Sequence, residues 1–219
     1  MEIELAVVVA DAPDADISLY LPLLSRAHLL VTADGGTRHL LAHGITPHVV
    51  VGDLDSLNAV IVERLRVRGV EIHRFPTSKD ETDLELALLL AVERGAKTIR
   101  VLAASGGRPD MHLANHMLLA HPKLAGCDVA LLHAGWQIRL LRDTITLVGA
   151  VGQRVSLLPL GDVVGVSTNG LRYPLNDEPL LLGPARGVSN EFAATSATIS
   201  VRGGMLLVIS EDGTEGGDR

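Results

Sequence analysis

The chain has a single cysteine, Cys127, so it can form no disulfide within itself and offers no cysteine-based zinc site. It is also poor in aromatic side chains: one Trp, two Tyr and two Phe in 219 residues leave few rings on which bases could stack. Positive charge is short as well. Lys and Arg number 19 against 26 Asp and Glu, a formal net charge of -7, whereas a surface for polyanions needs clustered cations. These shortages argue against a nucleic-acid partner. No apolar run approaches the roughly 20 residues of a membrane span. The opening MEIELAVVVADAP reads as a strand preceded by acids, not as a basic flank before a leader. The expectation is a cytoplasmic protein without a membrane partner. Two phosphate signatures are missing: no G-x-x-x-x-G-K-[ST] loop occurs, and no G-x-G-x-x-G follows the first strand. The nine histidines are scattered, and His112 and His116, four apart, read as helix-surface residues.

What the chain does have is a regular alternation. Up to about Gly135, short β-branched runs (Ile3 to Ala10, Leu29 to Ala33, His48 to Val51, Val70 to Phe75, Thr98 to Ala103, Val129 to His133) alternate with helical stretches. The helices are expected near Thr37 to His43, Ala59 to Arg68, Asp83 to Arg94 and Met111 to His121, several of them ending at glycines 44, 69 and 95. This pattern predicts an α/β domain with a mainly parallel sheet between helical layers, Rossmann-like in its three layers, over residues 1–135. After Trp136 the pieces QIRLL, DTITLVGA, QRVSLLPL, VVGVST, LLLG, SATISVR and MLLVIS are separated by Gly, Pro, Asn and Asp turns, which predicts an all-β antiparallel sandwich over residues 136–219. The acidic, glycine-rich tail EDGTEGGDR is expected to be disordered.

Acids gather where this pattern puts one edge of the sheet. Asp34 follows the strand ending at Ala33, and Asp53 and Asp55 follow VVVG. Lys79, Asp80, Glu81 and Asp83 follow Phe75, and Asp110 follows the strand ending near Ala103. In a parallel sheet all these strand-to-helix connections emerge on one side, where open α/β sheets bind ligands. Acids also favour helix N-termini, which accounts for Asp80, Glu81 and Glu85. Asp34, Asp53 and Asp55 precede no clear helical run, and carboxylates crowded together need a proton or a cation. Oxygen ligands of this kind, with substrate phosphates completing the shell, suit Mg²⁺. Gly35 with Gly36, and Gly106 with Gly107, would let backbone approach phosphates, with Lys79 and Arg108 as the cations best placed to meet them.

The blocks TADGG, VGDLDS, KDETDLELAL and GGRPDMHLANHMLL, followed by NGLRYPL and GVSNEF, resemble in that order the signature blocks of the thiamine pyrophosphokinase family. The resemblance spans nearly the whole chain. It implies an enzyme, a homodimer, that moves pyrophosphate from ATP to the hydroxyl of thiamine, with thiamine bound between subunits. It also implies that Asp53, Asp55 and Asp83 hold Mg²⁺, and that Asp34 and Asp110 complete the acidic catalytic group, either of these two being a candidate proton acceptor. Lys79, Arg108 and Asn115 are the candidates for the nucleotide, and Ser189, Asn190 and Tyr173 those for thiamine. One departure stands out: the position after the aspartate of GGRPD, often His in the family, is Met111 here.

Three rival readings stay open on sequence. DLDS imitates the motif of haloacid-dehalogenase-type phosphatases, with Asp53 as nucleophile and Asp55 as acid. A pyrophosphokinase acting on a hydroxymethyl pterin would share the first four blocks, though GVSNEF favours thiamine. A non-catalytic nucleotide sensor could use the same acidic edge.

Overall fold

The computed structural model describes residues 3–212. The chain divides into two compact units, Met1–Ala134 and Gly135–Arg219.

In the first unit six parallel strands follow one another through helical connections: β1 (Leu5–Val9), β2 (Leu29–Ala33), β3 (Val49–Gly52), β4 (Glu71–Arg74), β5 (Thr98–Leu102) and β6 (Asp128–His133). Their spatial order is β6-β5-β1-β2-β3-β4, so the chain builds outward from β1 to β4 and then returns to the other flank of β1. The inner strands LAVVV and LLVTA are almost wholly buried, as uninterrupted apolar runs in a sheet covered on both faces must be. The α/β expectation is borne out.

The helices are α1 (Leu21–Arg26), α2 (Thr37–Ala42), α3 (Ala59–Val67), α4 (Asp83–Glu93) and α5 (Pro109–Met117). Helix α4 lies against β1, β2 and β3 and buries Leu84, Ala87, Leu88 and Ala91, a stripe at helical spacing. Its first turn is closed by Thr82, whose hydroxyl accepts the Glu85 N–H at 3.1 Å. Helix α1 was not expected from sequence, since LPLLSR is only six residues and its proline reads as a break, yet proline fits the first helical turn. For the same reason α5 starts at Pro109, two residues before the expected Met111, and its last turn tightens into a 3-10 turn at Leu118–Ala120. No helix among the described residues is long and apolar enough to cross a membrane.

The second unit is antiparallel throughout. Strands β7 (Trp136–Leu141), β9 (Arg154–Pro159), β12 (Asn190–Glu191) and β14 (Leu206–Glu211) pair in the order β12-β9-β14-β7. Strands β8 (Thr144–Val148), β10 (Val163–Asn169), β11 (Glu178–Leu180) and β13 (Ser196–Ser200) form a second sheet, β11-β10-β13-β8. Leu147, Val166 and Ile199 from one sheet and Leu141, Leu157 and Leu206 from the other share one core, which makes the unit a sandwich as expected. Of the apolar piece LLLG, only Leu180 is buried, while Leu181 and Leu182 are exposed. Trp136 packs beneath Arg154, whose guanidinium carbon lies 4.7 Å from the ring centroid. The expected disordered tail begins too early at residue 211: Glu211 closes β14 and the Asp212 N–H donates to Gly135 O at 2.7 Å, while residues 213–219 lie outside the described residues.

Candidate active site

Every strand-to-helix connection of the inner sheet opens at one edge, and there a cleft of about 500 Å³ is walled by the loops after β1, β2, β3 and β5 and by the first turn of α4. Strain concentrates at the same edge. Asp34, Leu54 and Ala103, each just past a strand, have left-handed φ of 39°, 67° and 54°. A separate hollow of about 570 Å³ between α2 and α3 is lined by arginines and aliphatic side chains without a carboxylate, so the acidic chemistry belongs to the cleft.

Three carboxylates converge there. Oxygens of Asp34, Asp53 and Asp83 all lie within 4.8 Å of one another. Asp34 begins a 3-10 turn that runs into α2, closer to a helix start than its sequence context indicates, but it caps nothing. Its Oδ2 accepts the Ser56 N–H at 3.3 Å, and its Oδ1 is buried without a hydrogen-bond partner. Burial pushes the Asp34 carboxyl above its ordinary 3.8, the Ser56 hydrogen bonds oppose this, and the charges of Asp83 and Asp53 add to the rise. Asp53 goes the other way: against a burial penalty, the Asp55 N–H, the Thr77 side chain and the charge of Lys79 hold it below 3.8. Lys79 Nζ stands 2.9 Å from Asp83 Oδ1 and is itself largely buried.

The cluster has room because of Gly52. At φ 150°, a conformation that side chains rarely adopt, it passes so close that an added Cβ would stand 2.9 Å from Asp34 Cβ and 3.2 Å from Asp83 Cγ.

Of the other residues singled out in the sequence, Asp55 lines the cleft but stands outside the converging trio, and Asp34 occupies the place expected for it. Leu54, between the two aspartates, breaks the extended alternation that would have aligned Asp53 with Asp55, and the Asp55 N–H turns back to Asp53 Oδ1 at 3.2 Å. Asp110 is not among the cleft-lining residues. It pairs with Arg108 at 2.6 Å, and the Arg108 hydrogen bond holds its carboxyl down at about 2. Arg108 and Asn115 both line the cleft. Asn115 is buried, donates from Nδ2 to Ala104 O at 2.9 Å and keeps Oδ1 unpaired.

Two charged residues of the cleft were missed in the sequence. Arg38 on α2 donates to both oxygens of Asp11, at 3.0 and 2.9 Å, and to Ser56 O at 2.9 Å, so one guanidinium ties the loop after β1 to the loop after β3. Asp11 is an acid just past a strand, and the rule that selected Asp34 and Asp53 selects it equally.

The GGRPD loop departs from expectation too. Met111 lines the cleft, while His112 and His116 are half-buried, not surface residues, and their rings lie tilted by 32° with centroids 4.5 Å apart.

In the second unit Asn190 is buried and brackets Tyr173: its Oδ1 accepts the Tyr173 and Glu191 N–H groups at 3.0 and 2.9 Å, and its Nδ2 donates to Tyr173 O at 2.7 Å. The Tyr173 ring is exposed, with the Arg172 guanidinium 5.5 Å from its centroid. Ser189 is exposed at a left-handed φ of 61°, its N–H held by Ser156 Oγ at 3.1 Å.

Carboxylates set for a hard cation beside arginine and lysine at a sheet's carboxyl edge suit an enzyme of phosphate-group transfer from a nucleotide. Comparison with known proteins narrows that class. Residues 20–131 match the family model described as thiamin pyrophosphokinase, catalytic domain, and residues 143–206 match that of the thiamin pyrophosphokinase, vitamin B1 binding domain. The thiamine pyrophosphokinase of Bacillus subtilis (strain 168) is 30% identical over 184 residues, covering 83% of this chain and 86% of the relative. Thiamine pyrophosphokinase 1 of Oryza sativa subsp. japonica is 26% identical over 219 residues, with 87% and 82% covered. The crystal structure of thiamine pyrophosphokinase from Bacillus subtilis superposes with a TM-score of 0.86 at 27% identity, over 95% of this chain and 99% of that one. The chain therefore belongs to the thiamine pyrophosphokinase family, ATP-using diphosphotransferases.

Proposed function

We propose that this chain transfers the pyrophosphoryl group of ATP to the hydroxyethyl oxygen of thiamine, giving thiamine diphosphate and AMP. The acceptor hydroxyl gives up its proton to a neighbouring carboxylate or water as its oxygen attacks the β-phosphorus, and the bond from that phosphorus to the bridging oxygen breaks, that oxygen leaving with AMP. The observation that carries the reading is the convergence of Asp34, Asp53 and Asp83 in a cleft of about 500 Å³, in a chain of this family. Those residues fit Mg²⁺: three oxygen donors, one of them a buried carboxylate oxygen with no donor of its own, in a space that a Cβ at residue 52 would fill. When bound, the ion would neutralise phosphate oxygens.

The chain's own groups do the rest. Lys79 offsets charge beside Asp83, Arg108 faces the phosphates from the rim, and Arg38 keeps two walls of the cleft in register through Asp11 and Ser56. Positioning of this kind is most of what phosphoryl transfer requires. Asn115, with its free Oδ1, is offered to the nucleotide. Asp110 is a poor proton acceptor, since a carboxyl held near 2 is too weak a base for the task.

In this reading residues 1–135 bind ATP and Mg²⁺, and residues 136–219 contribute thiamine contacts through Tyr173, Ser189 and Asn190. The exposed Leu181, Leu182 and Val188, on the stretch between β11 and β12, support a homodimer that covers them. Dependence on ATP supports a cytoplasmic setting. Asn190→Ala removes both bonds that hold Tyr173 and is expected to raise the KM for thiamine roughly tenfold while leaving that for ATP unchanged. Equal changes in both constants would count against a thiamine role.

The decisive assay incubates the protein with ATP, Mg²⁺ and thiamine. AMP and thiamine diphosphate should appear in equal amounts. AMP no higher than in a thiamine-free control overturns the proposal, product from a hydroxymethyl pterin alone moves it to that acceptor, and a trapped phosphate on Asp53 would indicate a phosphatase.

A further inference from the structure

We infer that His112 is a positioning residue for the nucleotide, holding the Gly106 amide and thereby fixing where Arg108 stands at the rim of the cleft. The inference rests on the pyrophosphokinase reading above for its substrate, but the geometry stands independently. The Gly106 N–H donates to His112 Nδ1 at 3.0 Å, and the His112 N–H donates to Arg108 O at 2.9 Å. The imidazole thus grips the loop six positions upstream, while the backbone bond to Arg108, four upstream, closes the first turn of α5. The intervening backbone needs that grip, because Gly106 and Gly107, at φ 114° and 67°, give it conformational freedom of their own, and Arg108 has no side-chain cap to hold the helix start.

The protons in the network are set by its chemistry. A backbone amide can only donate, so His112 Nδ1 carries no proton and its Nε2 does. A backbone carbonyl can only accept, so His116 Nδ1 donates to His112 O at 2.6 Å, leaving His116 Nε2 to accept from the buried Ser105 hydroxyl at 3.4 Å. The two neighbouring imidazoles are opposite tautomers, and burial lowers the pKa of His116, which favours its neutral form. The Gly106 amide is therefore committed to His112 and is not free for a phosphate. The Met111 side chain, which lines the cleft, carries no N–H to offer in its place.

Two measurements on the full chain test this. Long-range proton–nitrogen correlation spectra should show His112 protonated at Nε2 and His116 at Nδ1; the reverse tautomer at His112 overturns the inference whatever the enzyme's activity. In steady-state kinetics, His112→Leu should raise the KM for ATP about tenfold with kcat within about threefold, as loss of one acceptor for a constrained amide would. His112→Asn places Oδ1 where Nδ1 was and should restore the parent KM, whereas His112→Gln should not. A parent-like KM in the Leu variant, or equal behaviour of Asn and Gln, refutes positioning; the Asn and Gln pair decides alone if the Leu variant does not fold. A parent protein that forms no AMP would instead refute the functional reading, with the tautomer measurement unaffected.

Discussion

Asp53→Asn is expected to lower turnover by about two to three orders of magnitude without unfolding the protein, because it removes a charge from the group set to hold the ion that offsets phosphate charge. Asp53 is held below 3.8, so at neutral pH it is an anion whose loss the neighbouring groups cannot replace. AMP formation at saturating ATP and thiamine, beside a circular dichroism spectrum, is the check; near-normal turnover with a native spectrum would refute the assignment. Asp34→Asn should be as damaging to turnover, yet it should raise stability at neutral pH. With its pKa raised in the fold, Asp34 contributes stability that is fully present below 3.8 and lost as pH rises through the folded-state value. The substitution removes that loss. At pH 7 without metal, the Asn variant should melt above the parent, and the rise in Tm produced by Mg²⁺ should shrink.

Gly52→Ala should be nearly as severe through geometry alone. At φ 150° the new side chain costs about 1–3 kcal/mol of strain, a loss that lowers Tm by about 2–4 °C per kcal/mol in a chain of this size. The added carbon would also press on Asp34 and Asp83, and turnover is expected to fall by roughly a hundredfold with a higher Mg²⁺ requirement. Gly95→Ala is the matched control: its φ of 83° is also left-handed, but nothing lies within 4 Å of the new carbon, so it should lose stability and keep its metal dependence. An unchanged Mg²⁺ titration in Gly52→Ala would show that the cluster does not depend on that glycine.

The acidic edge was legible because each acid sits just past a β-branched run, and a parallel sheet sends all such positions one way. Which three acids meet was not legible. Asp-x-Asp in an extended strand aims both side chains to one side, and only the left-handed Leu54 redirects Asp55 and leaves its place to Asp34. Arg38 escaped notice because its partners, Asp11 and the Ser56 carbonyl, lie 27 and 18 residues away along the chain. The role of Asn190 was hidden similarly: no local pattern announces that its amide will bracket Tyr173, 17 residues earlier. The histidine pair was misjudged for another reason. Spacing of four places two rings on one face of a helix, but only the fold decides that this face meets the Ser105–Gly106 turn instead of water.

The packing of Trp136 against Arg154 has an optical consequence. It is the chain's one indole, so intrinsic emission excited at the red edge reports on the sandwich unit alone, while far-ultraviolet dichroism sums over both units. Denaturation followed by the two signals should coincide only if the units unfold together; a gap between the curves measures how far each stands on its own.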